Sequence, residues 1–356
     1  MPTNYLYLTS IAELIDKIAF VVDFIVGIFL ILMTLFGVRK IFGTYKYLIV
    51  IFTSMSLVLA CIEIILCPNV HSYNNGYAYF SLHKPFGLRR ETLMLLLPIY
   101  AGAYAVTLAL LAVQFVYRYW ALFSFNYMTY FRGWKSLIWV AYCAFWCVAM
   151  YLAQYFLFHM DKTSENYFKE EMLRCYNVLP SEVPMFTVLA YDPVDGSLRL
   201  KELPYPFSLS AAMGVPYGTM IYCGWKMYSK MEEKLAGLSN ALKHHHRQLF
   251  KALVLQISVP SLLLFSSAIF FIYLPFFQIE NSIPAGAIFA AFNIYPVMDS
   301  IIVLIVVTEY RVAAKRKYDA FRKKIHAWRT EVDRNPEHTS STNETLRMSR
   351  INAGTS

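Results

Sequence analysis

Long apolar runs dominate the sequence. A membrane-spanning helix needs about 20 mainly apolar residues, and the chain contains seven such runs. They cover residues 18–38, 47–66, 93–117, 136–158, 208–228, 250–271 and 285–307. The fifth run is interrupted by three glycines and Pro216, but the Trp225-Lys226 pair at its end is typical of a membrane-interface anchor. The pattern predicts an all-α membrane protein, a seven-transmembrane helix bundle spanning residues 18–309.

Composition excludes an ordinary soluble protein. Apolar residues make up 58% of the 356 residues, charged residues 15%, and the mean hydropathy is +0.44. Soluble domains contain about 25% charged residues. The net charge of +9 is better explained by an inner face held against anionic membrane lipid than by nucleic-acid binding.

The distribution of basic residues predicts the orientation. Of the 32 Lys and Arg residues, 23 fall on one set of connections and 9 on the other. The positive-inside rule makes the richer set cytoplasmic. We therefore expect residues 1–17 to be an extracellular N-terminus and the C-terminus to lie inside the cell.

Two segments outside the runs have their own patterns. The acidic, proline-rich stretch 160–207 predicts an extracellular loop of turns and short strands, with a hairpin at residues 191–196. Apolar residues recur every three or four positions among basic ones in 310–334, which predicts a short amphipathic juxtamembrane helix on the inner leaflet. Residues 335–356 are expected to be a disordered cytoplasmic tail.

Arg118, with Tyr117 and Tyr119 beside it, ends the third run at the predicted inner face. One interpretation is an interfacial arginine whose head group reaches the lipid boundary. The other is a switch residue that holds the inner helix ends together until a partner binds. The residues alone leave both open.

The last two runs contain residues suited to movable joints. Proline frees a backbone carbonyl in a membrane helix, and an intramembrane acid should face the bundle interior. Static kinks and a fixed hydrogen bond between helices are the alternatives. The residues concerned are Tyr295, Pro296 and Asp299 in the seventh run, and Gln256 and Pro260 in the sixth.

Candidate ligand-binding residues lie in the first three runs. Tyr100, Tyr104 and Thr107 share one face of the third run and could line a small aromatic pocket, although ordinary packing explains them too. Asp23 and Glu63 lie toward the outer ends of the first two runs. Each could meet a ligand or form a hydrogen bond to a neighbouring helix.

Several motifs are absent from the sequence. It has no phosphate-binding loop, no hydrolase or metalloprotease motif and no CxxC pair, so we expect no enzymatic activity, cofactor or metal site. A seven-span odorant-gated ion channel remains an alternative, although channels of that class have the N-terminus inside.

Short motifs in a fixed order resemble the nematode serpentine receptor class Str, over about residues 18–317. They are Gly43-Thr44-Tyr45-Lys46-Tyr47-Leu48, Pro68-Asn69-Val70-His71-Ser72-Tyr73, Phe115-Val116-Tyr117-Arg118-Tyr119, Gln248-Leu249-Phe250-Lys251-Ala252-Leu253 with Gln256 and Pro260, and Tyr295-Pro296-Val297-Met298-Asp299 followed by Glu309-Tyr310-Arg311.

This resemblance implies a G-protein-coupled chemosensory receptor on sensory-neuron cilia that detects an odorant or soluble chemical. Its partner would be a heterotrimeric G protein with an inhibitory-type α subunit. Arg118 would act as the arginine of the DRY motif does in rhodopsin-like receptors. Residues 295–299 would stand where those receptors carry the NPxxY motif.

The sequence departs from the family pattern in two places. Ser300 follows Asp299, where the family commonly has proline. No cysteine lies between Cys67 and Cys143, so the usual receptor disulfide is replaced by a Cys67–Cys175 bridge or by two free thiols.

Overall fold

The computed structural model describes residues 4–38, 44–237, 239–260 and 266–334. Helices account for most of them. The helices are α1 (Leu6–Leu32, extended by a π turn over Met33–Gly37), α2 (Tyr45–Leu66), α3 (Arg90–Phe123), α4 (Leu137–Leu152, with a π turn over Ala153–Leu157), α5 (Lys162–Tyr176), α6 (Pro204–Leu235), α7 (Asn240–Pro260), α8 (Ser266–Tyr273), α9 (Gly286–Val306) and α10 (Thr308–Arg334).

By length and composition alone, four helices of the described residues are able to cross a membrane, namely Leu6–Gly37, Tyr45–Leu66, Arg90–Phe123 and Gly133–Leu157. The fifth predicted run lies in α6, where Pro216 and the glycines dilute the apolar residues. The sixth covers part of α7, all but the end of α8 and the undescribed residues 261–265. The seventh lies on α9.

Helix α3 is the centre of the bundle. It packs against α2, α4 and α6, while α1 packs against α2 and α9, and α7 against α9. Small residues allow close approach between membrane helices. A Cβ atom on Gly102 would lie 3.0 Å from the Cys147 carbonyl oxygen of α4, so glycine sets the α3–α4 distance there.

A four-stranded antiparallel sheet covers one end of the bundle, which we call the sheet end. Its strands are β1 (Pro68–Tyr73), β2 (Gly76–Ser81), β3 (Met185–Leu189) and β4 (Ser282–Ile283), in the order β3-β2-β1-β4. The strands come from three different connections between helices. The chain is mostly helical, as predicted, and β3 lies in the segment where short strands were expected, but the all-α prediction did not include β1, β2 and β4.

The segment 160–207 is more helical than predicted. Asp161 caps α5 by accepting a hydrogen bond of 2.9 Å from the Ser164 amide. Arg199 pairs with Asp161 and donates to the Ser164 hydroxyl over 3.1 Å, which ties the start of α5 to the segment before α6. The predicted hairpin forms, with an antiparallel bridge between Tyr191 and Leu198.

Helix α10 begins directly after α9 and runs to Arg334. Its Tyr318, Phe321, Ile325 and Trp328 side chains are exposed, as are the basic residues between them. The predicted tail, residues 335–356, lies outside the described residues.

Candidate functional site

A cavity of about 150 Å³ lies between the helices and the sheet. An apolar cavity of roughly this volume is known to accommodate a benzene-sized molecule. The lining comes from β1, β2, α3, α4 and the π turn after it, α6 and α8, and consists of Val70, Tyr77, Tyr79, Tyr100, Ala101, Tyr104, Ala105, Leu108, Met150, Gln154, Phe158, Tyr205, Leu209, Ala212, Met213, Ala268, Phe271 and Ile272. No charged side chain is among these described residues.

An aromatic cluster forms the part of the lining nearest the sheet. Phe158 stacks on Tyr205 with ring centroids 4.2 Å apart. The Tyr77 ring lies 5.5 Å and the Tyr79 ring 6.3 Å from Phe158. Strand β2 places both tyrosines on the same face because side chains alternate along a strand. We call these four residues the aromatic roof.

Three of the lining residues carry polar atoms without hydrogen-bond partners in the described part of the chain. The Tyr77 and Tyr79 hydroxyls and the Gln154 side-chain nitrogen are buried and form no hydrogen bond within the described residues. Tyr79 and Gln154 lie near each other, but not in hydrogen-bonding geometry. Burial raises the pKa of both tyrosines well above its ordinary value, so their hydroxyls remain neutral donors. A buried unpaired donor is costly, so a ligand acceptor that reached one of these atoms would be stabilised.

The predicted ligand-binding residues separate into two groups. Tyr100 and Tyr104 line the cavity. Thr107 does not, and its hydroxyl donates to the Tyr104 carbonyl over 2.7 Å. Glu63 is buried close to Tyr100 and Tyr104 but is not part of the lining, so it lies behind it.

Asp23 lies away from the cavity, in the interface of α1 with α9. It is 1% exposed, and neither carboxylate oxygen has a hydrogen-bond partner among the described residues. Asp299 of α9 is also buried, interacts electrostatically with Asp23 and lies beside Gln256 of α7, while its Oδ1 has no hydrogen-bond partner among the described residues. Thus Asp299 and Gln256 meet in the interface of α9 with α7.

Arg118 is buried at the end of the bundle opposite the sheet. Its guanidinium carbon lies 3.5 Å from the centroid of the Tyr45 ring of α2, a cation–π contact. Tyr45 in turn donates to Gln114 over 3.1 Å, and its ring lies 5.3 Å from Tyr117. The Nε and Nη2 atoms of Arg118 have no hydrogen-bond partner in the described part of the chain. Arg118 therefore joins α3 to α2 through an aromatic ring.

The remaining predicted switch residues are spread along the bundle. Tyr119 faces Tyr222 of α6 with rings 6.2 Å apart. Tyr295 packs with Ala268, Ile272 and Tyr104, close to the cavity. The backbone at Pro296 continues the α9 helix, and Pro260 ends α7 next to residues that the structure does not describe.

Cys67 and Cys175 are not bridged in the structure, where both are free thiols. Cys67 donates to the Ile64 carbonyl over 3.4 Å, and Cys175 donates to Glu171 over 3.2 Å. Of the two outcomes expected from the sequence, the structure therefore has the pair of free thiols.

Sequence reasoning missed the aromatic roof and Gln154. Tyr77 and Tyr79 follow Asn74-Asn75-Gly76, and an Asn-Gly pair between short β-forming runs is a hairpin signal. That signal would have placed both tyrosines on one face of a strand. Gln154 is the one amide in the apolar fourth run, which is a signal for an inward-facing position, whereas nothing in the sequence pattern distinguishes Phe158 from the other aromatic residues of that run.

Comparisons with known proteins agree with this architecture. A family model described as "Serpentine type 7TM GPCR chemoreceptor Str" matches residues 12–315. The chain is 35% identical over 312 residues to "G-protein coupled receptor str-33" of Caenorhabditis elegans, covering 86% of this chain and 90% of the relative. It is 27% identical over 306 residues to "Serpentine receptor class r-10" of the same nematode, covering 85% and 89%.

Proposed function

The chain belongs to the Str family of nematode serpentine seven-transmembrane chemoreceptors, and we propose that it detects a small environmental molecule and signals through a heterotrimeric G protein. Membership makes it a multi-pass membrane protein of a receptor class rather than an enzyme. It also implies a G protein partner and small-molecule ligands. The odorant, the inhibitory type of α subunit and the location on sensory-neuron cilia are parts of the proposal.

The cavity is the observation that carries the proposal. Its lining is apolar and aromatic, it contains no charged side chain among the described residues, and its unpaired polar atoms are neutral donors. A ligand that matches this environment is small, uncharged and largely apolar, with at least one hydrogen-bond acceptor. Charged molecules would lose their hydration without an ionic partner.

We place the sheet end outside the cell. The helices alternate in direction, so the N-terminal segment, the sheet and α5 share one end, while Arg118 and α10 belong to the other. The connections at that second end hold the excess of basic residues, which supports a cytoplasmic position. The exposed aromatic residues of α10 then face the inner leaflet, with the basic residues near anionic head groups.

Signalling requires a ligand that binds the active bundle more tightly than the inactive one. Arg118 borders a crevice of about 10 Å³ with Leu122, Met227, His246 and Phe250. A crevice of this size does not admit a helix of a partner protein. Activation would therefore separate α3 from α6 and α7 at this end, with Gln256, Pro260, Tyr295, Pro296 and Asp299 in the helices that move.

Filling the cavity tests the proposal. Neutral volatile compounds are applied to cells expressing the receptor, and the inhibition of cyclic AMP production is measured. For any active compound, Ala105→Leu, which enlarges a buried lining residue, should abolish the response at normal surface expression. The matched control Ala144→Leu adds the same volume at an exposed position of α4 and should respond as the wild type. An unchanged response in Ala105→Leu would place the ligand elsewhere.

The odorant-gated channel is not favoured by the family. The two functions differ in a measurable property, since a channel conducts without a G protein. An odorant-evoked current that persists after inhibitory G proteins are blocked would contradict the receptor function.

A further inference from the structure

Three potential metal ligands meet under the sheet, away from the cavity. His71 lies on β1, and Glu171 and Cys175 lie one turn apart on α5. Their ligand atoms are all within 4.8 Å of one another. All three side chains are buried, with relative exposures of 0%, 4% and 0%. We propose that His71, Glu171 and Cys175 bind a divalent transition-metal ion of the zinc class.

The distances fit a tetrahedral ion. Glu171 Oε1 lies 3.3 Å from His71 Nε2 and 3.2 Å from Cys175 Sγ. Zinc bonds of about 2.0–2.3 Å in tetrahedral geometry separate neighbouring ligand atoms by roughly 3.3–3.7 Å. The Glu171 carboxylate therefore already stands at coordination distance from both neighbours, and the His71 and Cys175 ligand atoms lie within 4.8 Å of each other.

Surrounding groups orient the three ligands. The Tyr176 hydroxyl is 3.1 Å from His71 Nδ1, so Nδ1 can keep its proton while Nε2 faces the ion. Arg174 Nε donates over 3.0 Å to Glu171 Oε2, the oxygen that points away from Cys175. Partners of this kind are typical behind metal ligands.

A fourth potential ligand atom, an oxygen, lies next to these three. The Ser282 hydroxyl of β4 is 2.6 Å from Glu171 Oε1. It can complete the shell directly or through a water. On binding, the ion forms a bond to Cys175 Sγ and the thiol proton is released to solvent, as metal binding to cysteine requires.

The ligand chemistry selects the class of ion. Imidazole, carboxylate and thiolate together suit zinc and its neighbours in the first transition row. Calcium and magnesium prefer all-oxygen sites. The ion would fix α5 to β1 beside the N-terminal segment, where the Tyr5 amide donates to the Cys175 carbonyl over 2.9 Å. The proposal does not depend on the receptor function.

Cobalt titration tests the site in the purified full-length protein, held in lipid nanodiscs and stripped with a chelator. His244, His245 and His246 form a second histidine cluster, so all variants are made in a background with these three changed to alanine. A purification tag without histidine is used. We expect one equivalent of Co²⁺ to produce a thiolate-to-cobalt absorption band, and Zn²⁺ to displace it.

Variants test whether the thiolate-to-cobalt absorption band comes from Cys175. Cys175→Ser should remove it, and Tyr176→Phe should weaken binding about ten- to hundredfold. Cys147→Ser changes a cysteine outside the cluster and should leave the band intact. If Cys175→Ser does not fold, the titrations of the parent background and of Tyr176→Phe decide. Absence of stoichiometric binding, or a band that survives in folded Cys175→Ser or disappears in Cys147→Ser, overturns the proposal and leaves a hydrogen-bonded cluster only.

Discussion

The hydroxyls of Tyr77 and Tyr79 in the aromatic roof are buried without hydrogen-bond partners in the described structure. We expect Tyr79→Phe to raise the ligand concentration for half-maximal response roughly three- to tenfold, because a net hydrogen bond contributes about 0.5–1.5 kcal/mol. Tyr151→Phe removes a hydroxyl that bonds to Leu95 in an exposed position and is the control. Equal responses in all three proteins would show that Tyr79 does not contact the ligand.

Arg118, at the end of the bundle opposite the sheet, is proposed to act in G-protein coupling rather than in ligand binding. We expect Arg118→Ala to abolish G-protein activation while ligand binding is retained, since the side chain lies far from the cavity lining. Receptor-stimulated nucleotide exchange and ligand binding are measured on the same preparation. Arg132→Ala removes an exposed charge at the same end and should couple normally. Full activation by Arg118→Ala would leave the arginine with a packing role.

Glu202 makes stability depend on pH. Burial raises the pKa of its carboxyl from 4.5 to about 7, although Arg199, 3.4 Å away, opposes the shift. Asp161 adds to the increase and Lys201 reduces it. Between these pKa values the folded protein binds more protons than the unfolded chain, so the free energy of unfolding falls as pH rises from about 4.5 to about 7.

Glu202→Gln mimics the protonated carboxyl. Its melting temperature should match that of the wild type at pH 4 and exceed it at pH 8. The difference in unfolding free energy at pH 8 should be on the order of 1–3 kcal/mol. The exposed Glu170→Gln variant is the control and should keep the wild-type pH profile. Parallel profiles for Glu202→Gln and wild type would exclude this assignment.

At the scale of elements, helix packing leads to a further prediction. Gly102→Ala should lower the melting temperature, because the new methyl group meets the Cys147 carbonyl of α4. This result would oppose the helix propensity of alanine, which is about 1 kcal/mol better than glycine. Gly214→Ala in α6 meets no atom within 4 Å and should be neutral or stabilising. Equal effects would mean that α3 and α4 do not approach so closely.

Helices were easier to predict than strands, for physical reasons. Each long apolar run lies on helix in the described residues, because about 20 apolar residues in lipid satisfy their backbone groups only within a helix. The four strands are short, and although β1 and β2 form a local hairpin, β3 and β4 pair with strands far away in the chain. The β1–β2 hairpin had a local Asn-Gly signal, whereas β3 and β4 depend on contacts that no local pattern encodes.

The candidate site was predictable in part. The helical spacing of Tyr100 and Tyr104 correctly placed both on one face, and both line the cavity. Thr107 shares that face, but it bonds to its own helix. Tyr77, Tyr79 and Gln154 come from other elements, and only the folded chain brings them together. The family resemblance is confirmed by the match over residues 12–315.

For the whole molecule, the orientation is the property to test. We expect an epitope tag before residue 1 to be stained on intact cells, and a tag after residue 356 only after permeabilisation. The reason is the excess of basic residues at the end opposite the sheet. Surface staining of an unrelated receptor with a known orientation is the control. An N-terminal tag hidden on intact cells would contradict the receptor orientation.

The order of strands in the sheet also constrains biosynthesis. Strand β1 pairs with β2 on one side and with β4 on the other. Since the ribosome makes β4 long after β1, the edge of β1 at Ser72 and Tyr73 stays open until residues 282 and 283 have been translated. An open strand edge readily pairs with other chains. A nonsense mutation before residue 282 should therefore leave a truncated, aggregation-prone chain in the secretory pathway, even when most of the helices have been inserted.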